Sequence, residues 1–237
     1  MKARKPSSAN ATHAPPVDRS DPNRLPNRLP NRLRIIGGRW RSTRLQFPDV
    51  AAIRPTPDRV RETLFNWLQQ SIVGARCLDL FAGSGALGLE ALSRGASHAV
   101  FVDREPIMTR YLRDTLARLQ CDTAQVLSAD ALDFLKQVFL KQPSASTSGG
   151  PFDVVFLDPP FALSSANNAA TDLLSQLCQQ LETPGWLNTN AWIYLECSAA
   201  VEPLALKYWP SNWRLHRSKQ TGQVGYHLAQ RTAATEA

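Results

Sequence analysis

The sequence predicts an α/β protein with a mostly parallel sheet and helices on both faces. Three observations carry the prediction. Strand-like and helix-like runs alternate from Ala75 onward, and a glycine turn, Gly83-x-Gly85-x-x-Gly88, joins the first of those strands to the first helix. A later apolar run, "FDVVFLD", then delivers Asp158, Pro159, Pro160 and Phe161 in a row.

Short apolar runs bounded by turn residues read as buried strands, and longer runs with apolar residues three and four apart read as helices. On that basis "RCLDLF" is a strand, "GALGLEALSRG" a helix ending at Gly95, "HAVFVD" a strand and "EPIMTRYLRDTLARLQ" a helix. "TAQVLSAD", "ALDFLKQVFL" and "FDVVFLD" continue as strand, helix and strand, followed by a helix within residues 165–182 and the strand "AWIYLE". The terminal runs "NWRLHRS" and "QVGYHLAQ", split by a Thr-Gly turn, form an antiparallel hairpin added to the sheet. The stretch "KQPSASTSGGP" reads as a flexible surface loop by composition.

Ahead of this repeat, "RLRIIGGRWRSTRLQFP" reads as a small arginine-studded hairpin around Gly37 and Gly38. In "RPTPDRVRETLFNWLQQ", Thr56 can cap and Pro57 can open a helix whose Val60, Leu64, Trp67 and Leu68 share one face. Arg54, Arg59 and Arg61 then fall on the preceding loop or on the polar side. Residues 1–30, rich in Pro, Ser, Asn and Arg and containing "NRLPNRLPNRL", are expected to be a disordered basic tail. The expected division is therefore a tail at 1–30, a hairpin and helix at 31–70 and an α/β domain at 71–233.

A chain of 237 residues with 43% hydrophobic content can bury one sizeable core. It holds no run of about 18 apolar residues, so no membrane span is expected, and without an apolar leader it reads as cytoplasmic. Cys77, Cys121, Cys178 and Cys197 lack close pairing and read as reduced thiols; the four histidines show no ligand spacing, so no metal site is expected. The net charge of +7 is uneven: Met1 to Arg44 carries +9, and the remainder about −2. Such an arm is either a solvated tail or a contact for a polyanion, most simply nucleic acid.

The glycine turn lets backbone approach a ligand at the carboxyl end of its strand, and Asp103, ending the next strand, can bind ribose hydroxyls. A dinucleotide enzyme fits that much equally well. Asp79, four residues before Gly83, would repel a pyrophosphate and attract a cation such as the sulfonium and ammonium of S-adenosylmethionine. Asp130 reaches the same rim, as an adenine contact or as a plain helix cap. Asp158 and a carbonyl of the Asp-Pro-Pro turn can hold the two hydrogens of an exocyclic base amine, and Phe161 can stack on the base.

With these residues in view, the chain resembles S-adenosylmethionine-dependent methyltransferases of Rossmann-like fold. More narrowly it resembles the RsmD family of bacterial 16S rRNA guanine-N2 methyltransferases. The similarity rests on "RIIGGRWRSTRL", "RPTPDRVRETLFNWL", "CLDLFAGSGALGLEALSRGA", "FVDRE", "FLDPPF", "GWL…IYLE" and "GQVGYHL", and runs from about Arg34 to Gln230. It implies a seven-stranded sheet with an antiparallel C-terminal strand. It implies a cofactor site at Asp79, Phe81, Gly83, Ser84, Gly85, Asp103, Arg104, Asp130 and Ala131, and a base site at Asp158, Pro159, Pro160 and Phe161. It also implies that Arg34, Arg39, Arg41, Arg44, Arg54, Arg59 and Arg61 contact 16S rRNA, the partner expected within the small ribosomal subunit, with the enzyme a monomer. The sequence departs from the family in its basic tail, its Ser/Gly loop and Asp103 where Glu is common. An adenine-N6 DNA methyltransferase would use the same Asp-Pro-Pro-Phe chemistry, and a non-catalytic RNA-binding assembly factor would tolerate loss of Asp158, which is present.

Overall fold

The computed structural model describes residues 31–50, 55–140, 151–160 and 169–233. The expected disordered tail at 1–30, Arg54, Phe161 and nearly all of the Ser/Gly loop lie outside them. Strands β1 (Asn31–Arg34) and β2 (Arg44–Phe47) pair antiparallel as the expected hairpin, and α1 (Asp58–Trp67) follows. Then come β3 (Arg76–Asp79), α2 (Ala86–Ser93), β4 (His98–Asp103), α3 (Pro106–Arg118), β5 (Ala124–Ser128) and α4 (Ala131–Leu140). The chain continues through β6 (Phe152–Leu157), α5 (Ala169–Leu181), β7 (Leu187–Ser198), β8 (Trp213–Thr221) and β9 (Val224–Arg231).

Seven strands form one sheet in the order β5-β4-β3-β6-β7-β9-β8, with β9 antiparallel to both neighbours. Strand alternation sorts the core into two layers. Cys77, Ala99, Phe101, Val154 and Phe156 pack with Val60, Leu64, Leu89 and Leu112 of α1 to α3, and hairpin residues Leu33 and Phe47 join that layer. Their neighbours Leu78, Val100, Val102, Val155 and Leu157 pack with Leu135, Leu174, Leu177 and Leu181 of α4 and α5. The chain order reverses between β3 and β6, which opens a crevice at the carboxyl ends of those strands.

The hairpin lies directly on α2. Ile36 and Gly37 donate their backbone N–H groups to Glu90 at 2.8 Å each, and Trp40 donates to Ser93 Oγ at 3.0 Å. Gly38 has φ +74, and a Cβ there would sit 1.7 Å from the Ser93 carbonyl oxygen, so only glycine permits this approach.

Arg61 corrects a sequence expectation. It was grouped with the RNA-contacting arginines, but it is 1% exposed and anchors the hairpin. Its guanidinium donates to Asp58 (2.6 Å), Glu90 (3.4 Å), the Thr56 carbonyl (3.1 Å) and the Arg34 carbonyl (2.9 Å). A buried guanidinium needs this many partners to offset its lost hydration, and with four of its five N–H donors engaged inside the fold it presents no fork to a phosphate.

Candidate active site

The crevice holds a cavity of about 640 Å³. Of the sequence-predicted cofactor residues, Asp79, Phe81, Gly83, Ser84, Asp103, Arg104, Asp130 and Ala131 line it, as do Asp158, Pro159 and Pro160. Gly85 is not among its lining residues. It caps α2 with φ +77, and a Cβ would meet Leu112 at 2.6 Å, so its role is to close the turn against α3. Gly88 likewise serves packing, because a Cβ there would meet Phe101 at 2.3 Å.

The hydrogen bonds of the glycine turn decide between cofactor chemistries. Gly83 N–H donates to Asp103 (2.7 Å), Gly85 N–H to the Ala82 carbonyl (2.6 Å) and Gly88 N–H to Asp79 (3.1 Å). The three glycine amides are thus engaged, two of them by carboxylates, which places acidic groups at this end of the crevice. Asp79 is 2% exposed, and its burial pushes its carboxyl up to about 7, against the opposing bond from Gly88. A cationic ligand would draw it into the ionised form. Asp103 is held through both oxygens, with Glu105 N–H donating to the second at 2.8 Å, and burial raises its carboxyl. Asp130 both lines the cavity and caps α4, accepting from Leu132 and Asp133 N–H at 2.9 and 3.3 Å, so the two readings of this residue coexist.

At the end of the neighbouring strand β6, Asp158 is held by a residue expected to do something else. Thr56 does not cap α1, whose cap position is Pro57 with no side-chain bond. Its hydroxyl instead donates to Asp158 Oδ2 at 3.0 Å. Burial raises the Asp158 carboxyl to about 6, and the Thr56 bond opposes that rise. Glu196, at the end of β7, also lines the cavity and is 3% exposed. It accepts the Tyr194 hydroxyl at 2.7 Å and is pushed well above the usual carboxylate range by burial and by the nearby Asp158 charge. Two carboxyls so placed resist ionising together, so this pair retains a proton that a lone aspartate would lose. The β8–β9 turn supplies Thr221, Gln223 and Val224 to the cavity mouth.

The predicted arginines separate in space. Arg34, Arg39, Arg41, Arg44 and Arg59 are exposed. Arg34 pairs with Asp58 at 3.0 Å, and Arg39 lies 4.0 Å over the Trp40 ring. Arg39 and Arg41 flank the contact with Ser93, the last residue of α2. Eight helical residues, about 12 Å at ~1.5 Å each, separate that contact from the glycine turn. The described residues hold no cluster of three metal-ligating side chains, and no helix among them is long and apolar enough to cross a membrane.

A sheet in this order, with an acidic glycine turn and an Asp-Pro-Pro turn ending the adjacent strands β3 and β6 at the switch-point crevice, defines the Rossmann-like methyltransferase fold. Comparison with known proteins narrows the class. The model of the family described as conserved hypothetical protein 95 matches residues 33–230. Ribosomal RNA small subunit methyltransferase D of Escherichia coli (strain K12) is 46% identical over 204 residues, covering 86% of this chain and 92% of that one. The protein of the same name from Haemophilus influenzae is 44% identical over 200 residues, covering 84% and 93%. The solved structure of yhhF from Escherichia coli superposes with a TM-score of 0.71 at 43% identity, covering 86% of this chain and 99% of that one. The chain belongs to this family, which is the RsmD family indicated by the sequence resemblance.

Proposed function

We propose that this chain transfers a methyl group from S-adenosylmethionine to the exocyclic N2 amine of a guanine in small-subunit rRNA. The observation that carries the reading is that the buried Asp79 and the Thr56-held Asp158, at the ends of adjacent strands, line one cavity. The residues fit the cofactor's chemistry. Asp79 and the carboxylate-occupied glycine turn suit a cation, Asp103 has two fixed oxygens for ribose hydroxyls, and Asp130 and Ala131 lie where an adenine edge would reach. When bound, S-adenosylmethionine would supply an activated methyl group, its S–CH3 bond breaking as the new bond forms and the neutral thioether S-adenosylhomocysteine leaving.

The rest of the chemistry belongs to this chain. An exocyclic amine is a poor nucleophile because its lone pair is delocalised into the base. Asp158 Oδ1 and a carbonyl of the Asp-Pro-Pro turn accept its two hydrogens, which lets nitrogen pyramidalise and aim its lone pair. The prolines bring no N–H to compete and fix φ, so these acceptors are rigid. As the nitrogen–carbon bond forms, nitrogen becomes positive, and the ionised Asp158 stabilises it at short range. Asp158 then takes the proton that restores a neutral amine. Rate enhancement comes mainly from positioning and from this preset field. The names of the relatives favour small-subunit rRNA over DNA as the acceptor. The exposed arginines Arg34, Arg39, Arg41, Arg44 and Arg59 supply phosphate contacts in this reading, which suits a ribonucleoprotein surface more than a single unpaired loop.

The test is Asp158→Asn. Methyl transfer is expected to fall by at least a hundredfold, while S-adenosylhomocysteine binding, measured by calorimetry, stays within a few fold. Equal loss of both would move Asp158 into the cofactor site and overturn its assignment to the base.

A further inference from the structure

The strand β8 is an edge of the sheet, and from Trp213 to Arg231 the hairpin β8–β9 contains Arg214, Arg217, Lys219 and Arg231 and no Asp or Glu. Everything after Arg44 sums to about −2, so this hairpin is a basic island in an otherwise acidic domain. Arg231 is taken up by Glu182 at 2.8 Å. Arg214, His216, Arg217 and Lys219 are all exposed, and none forms an ion pair among the described residues.

Register orients them. Arg217 stands opposite Leu228 and Lys219 opposite Tyr226, both members of the core layer that carries α1, so the two cations point to that side. There Lys219 Nζ lies 6.0 Å from the centre of the half-buried Trp67 ring. An irregularity between Leu215 and Arg217 also turns His216 toward Trp192, with ring centres 5.2 Å apart. Past Thr221 the same hairpin enters the cavity mouth through Thr221, Gln223 and Val224. At about 3.4 Å per residue, Lys219 stands ~7 Å and Arg217 ~14 Å along the strand from Thr221. Cations interleaved with aromatic rings, leading out of the cavity that the target base would enter, are what a flanking polynucleotide strand requires.

We propose that Arg217 and Lys219, with Trp67 beneath, form a second RNA-binding surface that holds the phosphates flanking the target nucleotide. This surface is separate from the N-terminal arginines. The inference rests on the RNA methyltransferase reading above. It assigns to Arg39 and Arg41 the distant contacts and to β8 near ones.

The test compares the full-length chain with Arg217→Ala/Lys219→Ala, using Lys207→Ala as an exposed control of the same sign, on small ribosomal subunits lacking the modification. For the double variant KM is expected to rise about tenfold or more at moderate salt, with kcat and S-adenosylhomocysteine affinity unchanged. The slope of log affinity against log salt should flatten by about 1.4 to 1.8, the release expected for two phosphates. A double variant indistinguishable from Lys207→Ala in KM and in salt slope would overturn the second surface while leaving the methyltransferase reading intact. Failure of the unaltered protein to bind or methylate the subunit would overturn both.

Discussion

Replacing Thr56 by valine removes one hydroxyl from a buried position without changing side-chain shape. That hydroxyl donates to Asp158 Oδ2 at 3.0 Å, and it opposes the burial that lifts Asp158 to about 6. A hydrogen bond to a charged group is worth about 1.5–3 kcal/mol, and about 1.4 kcal/mol corresponds to one pH unit. Its loss should therefore raise the acid-limb midpoint of methyl transfer by about one to two pH units. At pH 7 an acid of pKa about 6 is roughly nine-tenths ionised, and the variant would be about half to a tenth ionised. Turnover at pH 7 should then fall about two- to tenfold and recover near pH 9. Single-turnover rates with saturating cofactor, measured from pH 5 to 9, give the profile directly. Because Asp158 and Glu196 interact, the midpoint belongs to the pair rather than to either residue. Thr56→Ser should restore the original profile. An equal loss at every pH, or an unshifted midpoint, would refute the claim that Thr56 works by keeping Asp158 ionised.

Three further outcomes follow from the buried charges. Asp79 is raised to about 7 in the fold, so between about pH 4 and 7 the native state binds more protons than the unfolded chain, and stability contributed by this group falls as pH rises. Asp79→Asn should accordingly melt higher than the unaltered protein above pH 7, by at most about 4 kcal/mol, with the gap closing below about pH 4. Calorimetry of the unaltered protein should show S-adenosylmethionine affinity rising with pH and levelling off above about 7, a dependence that the variant loses along with most of its affinity. Arg61→Ala removes a buried partner from Glu90, which keeps Arg94 at 2.6 Å, and from the half-exposed Asp58, so it should lower stability in denaturant unfolding by less than the about 3–5 kcal/mol of a fully unpaired buried charge. If Arg61→Ala instead kept its stability and weakened RNA binding, Arg61 would be a phosphate contact after all.

Much of this architecture was legible because the sheet is buried on both faces. Strands such as "HAVFVD" and "FDVVFLD" are then unbroken apolar runs, and each ends in an acid at the carboxyl rim. That pattern located Asp79, Asp103 and Asp158, and the same pattern in "IYLE" marks Glu196, which sequence reading left as the end of a strand. Thr56 carries no local signal of its contact, because a threonine before Pro57 is also what a capped helix start looks like. Only a partner 102 residues away distinguishes the two roles. Arg61 carried its own signal: with Leu64, Phe65 and Leu68 it repeats at three, four and seven residues, so it lies on the buried face of α1. Grouping it by charge with Arg59 obscured that periodicity. The basic strand β8 was hidden in the net charge, where surrounding acids cancel it.

Transfer of labelled methyl from S-adenosylmethionine to small ribosomal subunits lacking the modification, free 16S rRNA, duplex DNA and protein in parallel, with the product nucleoside identified, decides whether rRNA is the acceptor. The account predicts N2-methylguanosine in the ribosomal samples and none in the others, and comparison of the two ribosomal samples identifies the preferred acceptor. N6-methyladenine in DNA, with no label in rRNA, would contradict it: the amine chemistry of Asp158 would stand, and the assignment of the arginine-rich surfaces to rRNA would fall.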